Sequence, residues 1–263
     1  MPHYLNRVSQ TRMGSFFVAL RICASVALLA PLFANGQVVV EIPSPGGDGD
    51  SWSQVPFSGF VAPEEPPMRM QQVYDAAAFS ASVPDGGWIT GLWFVSDAEV
   101  GRQWGSELPS VELNLSITTK GPDQLSSSFA ENVGQGAVAV HPKGSLHVES
   151  TGKGAAVFIG FDSPFLYYPT DGNLLLEVKN FEKPIISGVP ALVPGPLDAW
   201  NIVGDPVSRV YAIGNANATA GTADSLGLTT FFVVTPIPEP STSLLLGLGL
   251  CAVGWKWLSR RRH

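Results

Sequence analysis

The residues best suited to metal chemistry lie in a glycine-rich run near the start of the chain, Gly46-Gly-Asp-Gly-Asp-Ser51. Asp48 and Asp50 alternate in this run, and carboxylates at alternate positions of a glycine-containing loop are ligands that calcium sites use. The run lacks the further ligands and the closing glutamate of a complete calcium loop. Two interpretations stay open: a calcium site at Asp48 and Asp50, or a flexible acidic leader. No other cofactor is expected.

A second candidate for metal binding is the pair His141 and His147, the only histidines between the chain ends. They flank Pro142-Lys-Gly144, which predicts a hairpin turn that would let the two rings face each other. A metal site needs a third ligand, and only Glu149 is near in sequence. The pattern therefore favours solvated strand positions over a metal centre.

Catalytic signatures are not found in the sequence. It contains no Gly-x-Ser-x-Gly elbow, phosphate loop, dinucleotide fingerprint or metalloprotease motif. Asp75 and Glu131 have no partner that the sequence places for glycosidase chemistry. Asp162 and Asp171 bracket Tyr167-Tyr168, which could stack on sugars or equally well belong to a core. The sequence predicts no catalytic residue and a protein that is not an enzyme.

Charge separates the middle of the chain from its ends. The chain has 263 residues and a net charge of −7, but residues 37–235 hold 8 basic and 21 acidic side chains, a net charge of −13. Such a surface repels phosphate backbones, which argues against nucleic-acid binding. Both cysteines, Cys23 and Cys251, lie in the terminal apolar runs, so disulfides and thiolate sites are excluded between them.

The N-terminus has the three parts of a secretory signal peptide. A basic start precedes an apolar stretch from Phe16 to Phe33, and Ala34-Asn-Gly36 then provides small residues before Gln37. We expect a signal helix that is cleaved between Gly36 and Gln37, with Ala34 at the minus-three position. The alternative is an uncleaved signal anchor.

The C-terminus also has three parts, beginning with a proline-stiffened segment that contains Pro238-Glu239-Pro240-Ser241. About 17 largely apolar residues follow, Thr242 to Leu258, at the lower end of membrane-spanning length. Arg260, Arg261 and Arg262 close the tail, and a basic cluster beyond a span stays on the cytoplasmic side and fixes the orientation.

This tail resembles the PEP-CTERM protein-sorting domain. The resemblance implies an exosortase-type processing enzyme and the export machinery as partners, membrane anchoring through the C-terminal helix, and cleavage near the Pro-Glu-Pro. It also implies delivery from an inner-membrane intermediate to the cell surface or extracellular matrix, in bacteria that make exopolysaccharide. A plain C-terminal anchor is the alternative.

The stretch between the two ends must position any site, and its pattern is that of strands. Val111–Thr118 alternates strictly between apolar and polar residues, and Leu174, Leu176 and Val178 share one side of a second strand. Further strands are expected at 38–42, 88–95, 137–141, 145–149, 155–161, 207–213 and 228–234. We predict a core containing Leu113, Leu115, Phe158, Leu174 and Leu176.

Many short strands with Gly/Pro turns between them predict an all-β fold, an antiparallel β-sandwich of jelly-roll or Greek-key type. The segments 69–79, 89–94, 125–134, 164–169 and 172–178 also resemble a recurrent, uncharacterised ectodomain attached to PEP-CTERM tails, which implies one domain across about residues 40–235. The expected organisation is a signal peptide at 1–36, the sandwich at 37–235 and the sorting signal at 236–263.

Three functions stay open for this organisation, of which a hydrolase that acts on exopolysaccharide is the least favoured. The first is a non-enzymatic exported protein of the cell surface, biofilm or extracellular matrix. The second is a lectin-like module that binds exopolysaccharide, with or without calcium.

Overall fold

The structure, a computed structural model, describes residues 36–42, 49–58, 67–187 and 194–237, all between Gly36 and Ile237. The described residues form fourteen strands, one short helix, α1, and two 3-10 turns. The strands are β1 Val38–Ile42, β2 Asp50–Ser53, β3 Met68–Tyr74, β4 Gly87–Val95, β5 Gln103–Thr118, β6 Val138–Thr151, β7 Ala156–Tyr167, β8 Asn173–Asn180, β9 Ile185–Ser187, β10 Leu197–Asn201, β11 Val207–Ile213, β12 Thr222–Asp224, β13 Leu226–Leu228 and β14 Thr230–Pro236. The helix α1 is Ala76–Ser80, and the 3-10 turns are Phe129–Glu131 and Pro169–Asp171.

The strands pair as a jelly roll. The first sheet has the order β1-β14-β4-β7, and the second has the order β12-β11-β3-β8-β5-β6 with β9 also paired to β5. The antiparallel pairs nest within one another, β5 with β6, β4 with β7, β3 with β8 and β1 with β14. This winding alternates between two sheets and confirms the predicted antiparallel sandwich. A third, short sheet has the order β13-β10-β2.

The main core lies between the first and second sheets, because strict alternation along their strands sends one side chain in two to the shared interior. Leu113, Leu115, Leu174 and Leu176 are fully buried there, as predicted. Phe158 is not: its side chain is 57% exposed, while its neighbours Val157 and Ile159 are buried. The prediction for Phe158 was wrong, since one residue of phase along a strand exchanges the two faces.

A smaller apolar cluster lies on the opposite side of the second sheet. It contains Val73, Leu175 and Val210 from three neighbouring strands, covered by Leu125 and Phe129 from the connection between β5 and β6. The second sheet is therefore buried on both sides over part of its length.

The predicted turn at Pro142-Lys-Gly144 is not formed. Residues 138–151 are one strand, β6, which stays paired to β5 while its register shifts between Leu108 and Asn114. The shifts accommodate the extra residues as bulges. β6 ends the order of its sheet, and an edge strand tolerates a proline that has no N–H to donate.

Among the described residues, no helix has the length and apolar character that crossing a membrane requires. The signal helix and the membrane span predicted from the sequence both fall outside the described residues.

Candidate functional site

The residues predicted for sorting fall mostly outside the described part of the chain. Gly36 and Gln37, at the predicted signal cleavage, are described; both are exposed and directly precede β1. The sorting residues outside are Ala34, Pro238, Glu239, Pro240, Ser241, Arg260, Arg261 and Arg262. The predicted calcium ligand Asp48 is also outside the described residues.

The chain remains paired up to the residue before the Pro-Glu-Pro. Pro236, the last residue of β14, is opposite Gly87 of β4, and the Ile237 N–H donates to the Gly86 carbonyl over 3.3 Å. The chain is therefore held by hydrogen bonds as far as Ile237, so no unpaired linker precedes Pro238.

Asp50 joins an acidic cluster whose other members no sequence pattern indicated. One carboxylate oxygen from each of Asp50, Asp97 and Asp198 lies within 4.8 Å of the others. Asp50 begins β2 and Asp198 is in β10, where antiparallel pairing sets Asp198 opposite Trp52 and Trp200 opposite Asp50. The three aspartates, called the acidic cluster below, come from separate parts of the sequence, so no local motif could have predicted them.

Asp97 is held by its own loop. Its backbone N–H donates to the Pro196 carbonyl over 3.1 Å, beside an isolated bridge between Ser96 and Leu197. Its Oδ1 accepts hydrogen bonds from the backbone N–H groups of Glu99 and Val100 over 2.8 and 2.6 Å. This loop brings a buried carboxylate against β10.

The electrostatics of the acidic cluster favour a positive charge. Burial raises the pKa of the Asp198 carboxyl, the Thr229 hydroxyl opposes this by donating to it, and the charges of Asp97, Asp50 and Glu41 raise it further. Three carboxylates at this spacing are the hard oxygen donors that calcium takes.

Two tryptophans lie on the same side of the short sheet as the cluster. Because paired residues in antiparallel strands share a face, Trp52 and Trp200 stand beside Asp198 and Asp50. Trp52 is 41% exposed. Aromatic rings next to carboxylates can stack on a sugar ring and hydrogen-bond its hydroxyls.

The histidines do not face each other. His141 is buried, and its Nδ1 lies 2.8 Å from a carboxylate oxygen of Asp162. His147 is half-exposed and lies 3.5 Å from Glu107 and 3.7 Å from Glu149. The prediction of solvated strand positions is confirmed for His147 and was wrong for His141, which is buried. The predicted hairpin between them is not formed, because β6 continues through the turn.

The remaining candidate carboxylates have local structural roles. Asp75 caps α1 by accepting from the Ala77 N–H, and Glu131 accepts from the Ser126 hydroxyl. Tyr167 is buried edge-on against Phe79, whereas its neighbour Tyr168 is 37% exposed.

A charged face on the outer side of the second sheet was also missed. Glu177 of β8 binds Arg69 of β3 at 2.6 Å and Lys179 at 3.2 Å, and Lys179 binds Glu112 of β5 at 3.1 Å. Gln71 donates to Glu177 over 2.9 Å. Glu177 and Lys179, two residues apart in β8, indicated that one side of this strand is charged. Their partners in β3 and β5 depend on the order of the strands, which the sequence did not indicate. The charged face below means Arg69, Gln71, Glu112, Glu177 and Lys179.

Comparison with known proteins locates the sorting function. Residues 236–262 match the PEP-CTERM protein-sorting motif, which begins at the last residue of β14. No curated protein matches the chain. No solved structure matches it either. The chain thus carries a PEP-CTERM sorting motif directly after a jelly roll, and it is an exported substrate of exosortase-type processing machinery.

Proposed function

We propose that the protein is a non-enzymatic component of the cell surface or extracellular matrix, which its tail holds at the membrane until processing releases it. The observation that carries this proposal is the sorting motif at 236–262 joined without a gap to a cross-link-free sandwich. The net charge of −13 between residues 37 and 235 supports solubility after release.

The test is the intact mass of the protein recovered from membrane and medium in a host that carries the exosortase. The parent should appear in the medium without its last residues. Replacing Pro238-Glu239-Pro240 with alanines should leave insertion intact and block maturation, so that full-length protein accumulates in the membrane. Processing of the alanine variant at the parent's rate would contradict the proposal.

A contrasting change separates sorting from simple anchoring. Replacing Arg260, Arg261 and Arg262 with serine should weaken retention and orientation, because these charges resist transfer across the apolar core. This variant should release unprocessed protein, which the alanine variant should not. Identical behaviour of the two variants would indicate a plain anchor.

A second candidate function is a lectin-like module that binds exopolysaccharide with calcium. The acidic cluster beside Trp52 and Trp200 favours it, since a cation there could coordinate sugar hydroxyls while a ring stacks on the sugar. Like-charge repulsion among the three aspartates would be relieved by the cation.

A glycan array run with calcium and with a chelator tests this candidate. Binding should depend on calcium, and Asp198→Asn should abolish the dependence while Asp85→Asn, at an exposed turn, should not. Because the pKa of Asp198 is raised, calcium affinity should fall at a higher pH than for an ordinary carboxylate as acid is added. Binding that ignores the chelator would refute the role of the cluster.

A further inference from the structure

The outer side of the first sheet is an aromatic face, and Glu41 of β1, opposite Phe231, is the one charged side chain in its paired rows among the described residues. Across β14, β4 and β7, Phe231, Trp93 and Phe158 stand side by side in one row. The Trp93 and Phe231 rings are stacked, with centroids 5.0 Å apart and planes 7° from parallel. The term aromatic face below means Val39, Trp88, Trp93, Phe158, Phe231 and Val233.

Several of these side chains are open to solvent. Phe158 is 57%, Val39 46% and Trp88 43% exposed. Gly91 and Gly160 lie in the row between, and a Cβ at either position would contact the Phe158 ring. A contiguous exposed apolar surface on a soluble domain usually marks a contact with a partner or a membrane.

The position of this face relative to the chain's exit points to the membrane. β14 is a central strand of the sheet and ends at Pro236, where the sorting motif begins. Trp88 is opposite Thr235, one residue from that end. Trp is enriched where proteins meet the membrane–water interface.

The length of the tether is compatible with this contact. Thr242, where the predicted span begins, is five positions after Ile237, so the connecting chain reaches at most about 17 Å. The face from Pro236 back to Phe231 measures about 17 Å at the rise of a strand. The tether can therefore let the sheet lie on the bilayer but cannot let the domain move far from it.

We propose that, while the tail is anchored, the aromatic face contacts the interfacial region of the lipid bilayer. The proposal depends on the membrane-held stage of sorting and not on the protein's final destination. Processing would cleave the chain between the domain and the membrane span. Without this tether the contact of the aromatic face with the bilayer would be weak, and the domain would dissociate.

The test uses the full chain in phosphatidylcholine vesicles, with and without bromine-labelled acyl chains that quench tryptophan. Trp88→Phe should lose part of the quenched emission. Trp52→Phe is the matched control, since Trp52 is similarly exposed but lies on the short sheet, and it should lose none. Both changes are conservative, and an unchanged Tm would show that the fold is intact.

A second pair of variants tests the far end of the face. Phe158→Trp should add quenched emission, whereas Val203→Trp, at an 81% exposed position outside the face, should add only unquenched emission. Unquenched emission from position 158 would overturn the proposal, and cross-linking of two chains through this face in the same sample would assign it to a second copy instead. The difference between the parent and a Trp255→Phe/Trp257→Phe variant isolates the emission of the tail, and absence of quenching in that difference would count against the anchored stage as well.

Discussion

The outer faces of the two sheets differ in what their outward-pointing side chains contact. The charged face satisfies its polar groups by pairing them across β3, β8 and β5, and part of the same sheet is covered by the connection between β5 and β6. The aromatic face leaves large apolar groups exposed. The comparison shows that an alternating pattern determines which side chains of a strand point away from the core. It does not determine what those side chains contact.

The interior shared by both sheets should show the largest effect. Leu176→Ala removes a fully buried side chain and should cost about 4 kcal/mol of unfolding free energy, measured by urea titration. Phe158→Ala, on the aromatic face, should cost about 0.5 kcal/mol or less. Equal costs for the two variants would contradict the assignment of Phe158 to an outer face. Reductant should change neither Tm, since residues 37–235 contain no cysteine.

Breaking the charged face at its centre should have the next largest effect. Glu177→Gln keeps the shape but leaves Arg69 without its carboxylate and Lys179 with only Glu112, and it should cost about 2 kcal/mol. Glu107→Gln, at a half-exposed carboxylate near His147, is the control and should cost about 0.5 kcal/mol or less. If Glu177→Gln cost as little as the control, the ion pairs of the charged face would add nothing to stability.

The rim of the charged face should respond weakly and in a salt-dependent way. Lys179→Met removes partly exposed pairs with Glu112 and Glu177 and should cost about 1 kcal/mol or less at low ionic strength. The cost should shrink as salt screens the pairs. Phe158→Ala carries no charge change, and its effect should not follow the same salt dependence.

Asp205, a carboxylate on neither face, should change stability only with pH. Asp205 precedes β11; its Oδ1 accepts from the Val207 N–H over 3.0 Å, and its buried Oδ2 has no hydrogen-bond partner among the described residues. Burial raises the pKa of Asp205 to about 6, and the charge of Asp123 contributes to the rise. The folded state therefore favours the protonated form, and its stability falls as the pH rises from about 4 to about 6.

Asp205→Asn should remove this pH dependence, raising the unfolding free energy at pH 7 relative to the parent while leaving it similar below pH 4. Urea titrations across this range measure it, with Asp85→Asn as the exposed control. If Asp205 instead made the parent more stable as the pH rose through this range, its pKa would have to be lowered by folding and not raised.

Sequence patterns predicted those parts of the fold in which one residue type repeats with a clear period. Strands at Val38–Ile42 and Val207–Ile213 begin and end where the sequence indicated. Met68–Tyr74 was missed, because Arg69, Gln71 and Gln72 interrupt its apolar pattern. In the structure Gln72 is buried, and its amide pairs with both backbone groups of Leu228. Because Leu228 lies in a distant strand, the sequence around Gln72 did not indicate that this polar side chain would be buried.

The sequence by itself was enough to recognise the resemblance of the tail to the sorting motif, to predict the all-β class and to exclude cysteine between residues 37 and 235. Other features needed the folded chain. The phase of Ala155-Ala-Val-Phe-Ile159, apolar throughout, could place either Phe158 or its neighbours inside until pairing with β4 chose. The acidic cluster exists only because Asp50, Asp97 and Asp198 meet through strand register and a loop. Contacts between distant segments depend on how the strands pair, and the local sequence of a strand does not indicate which strand it pairs with.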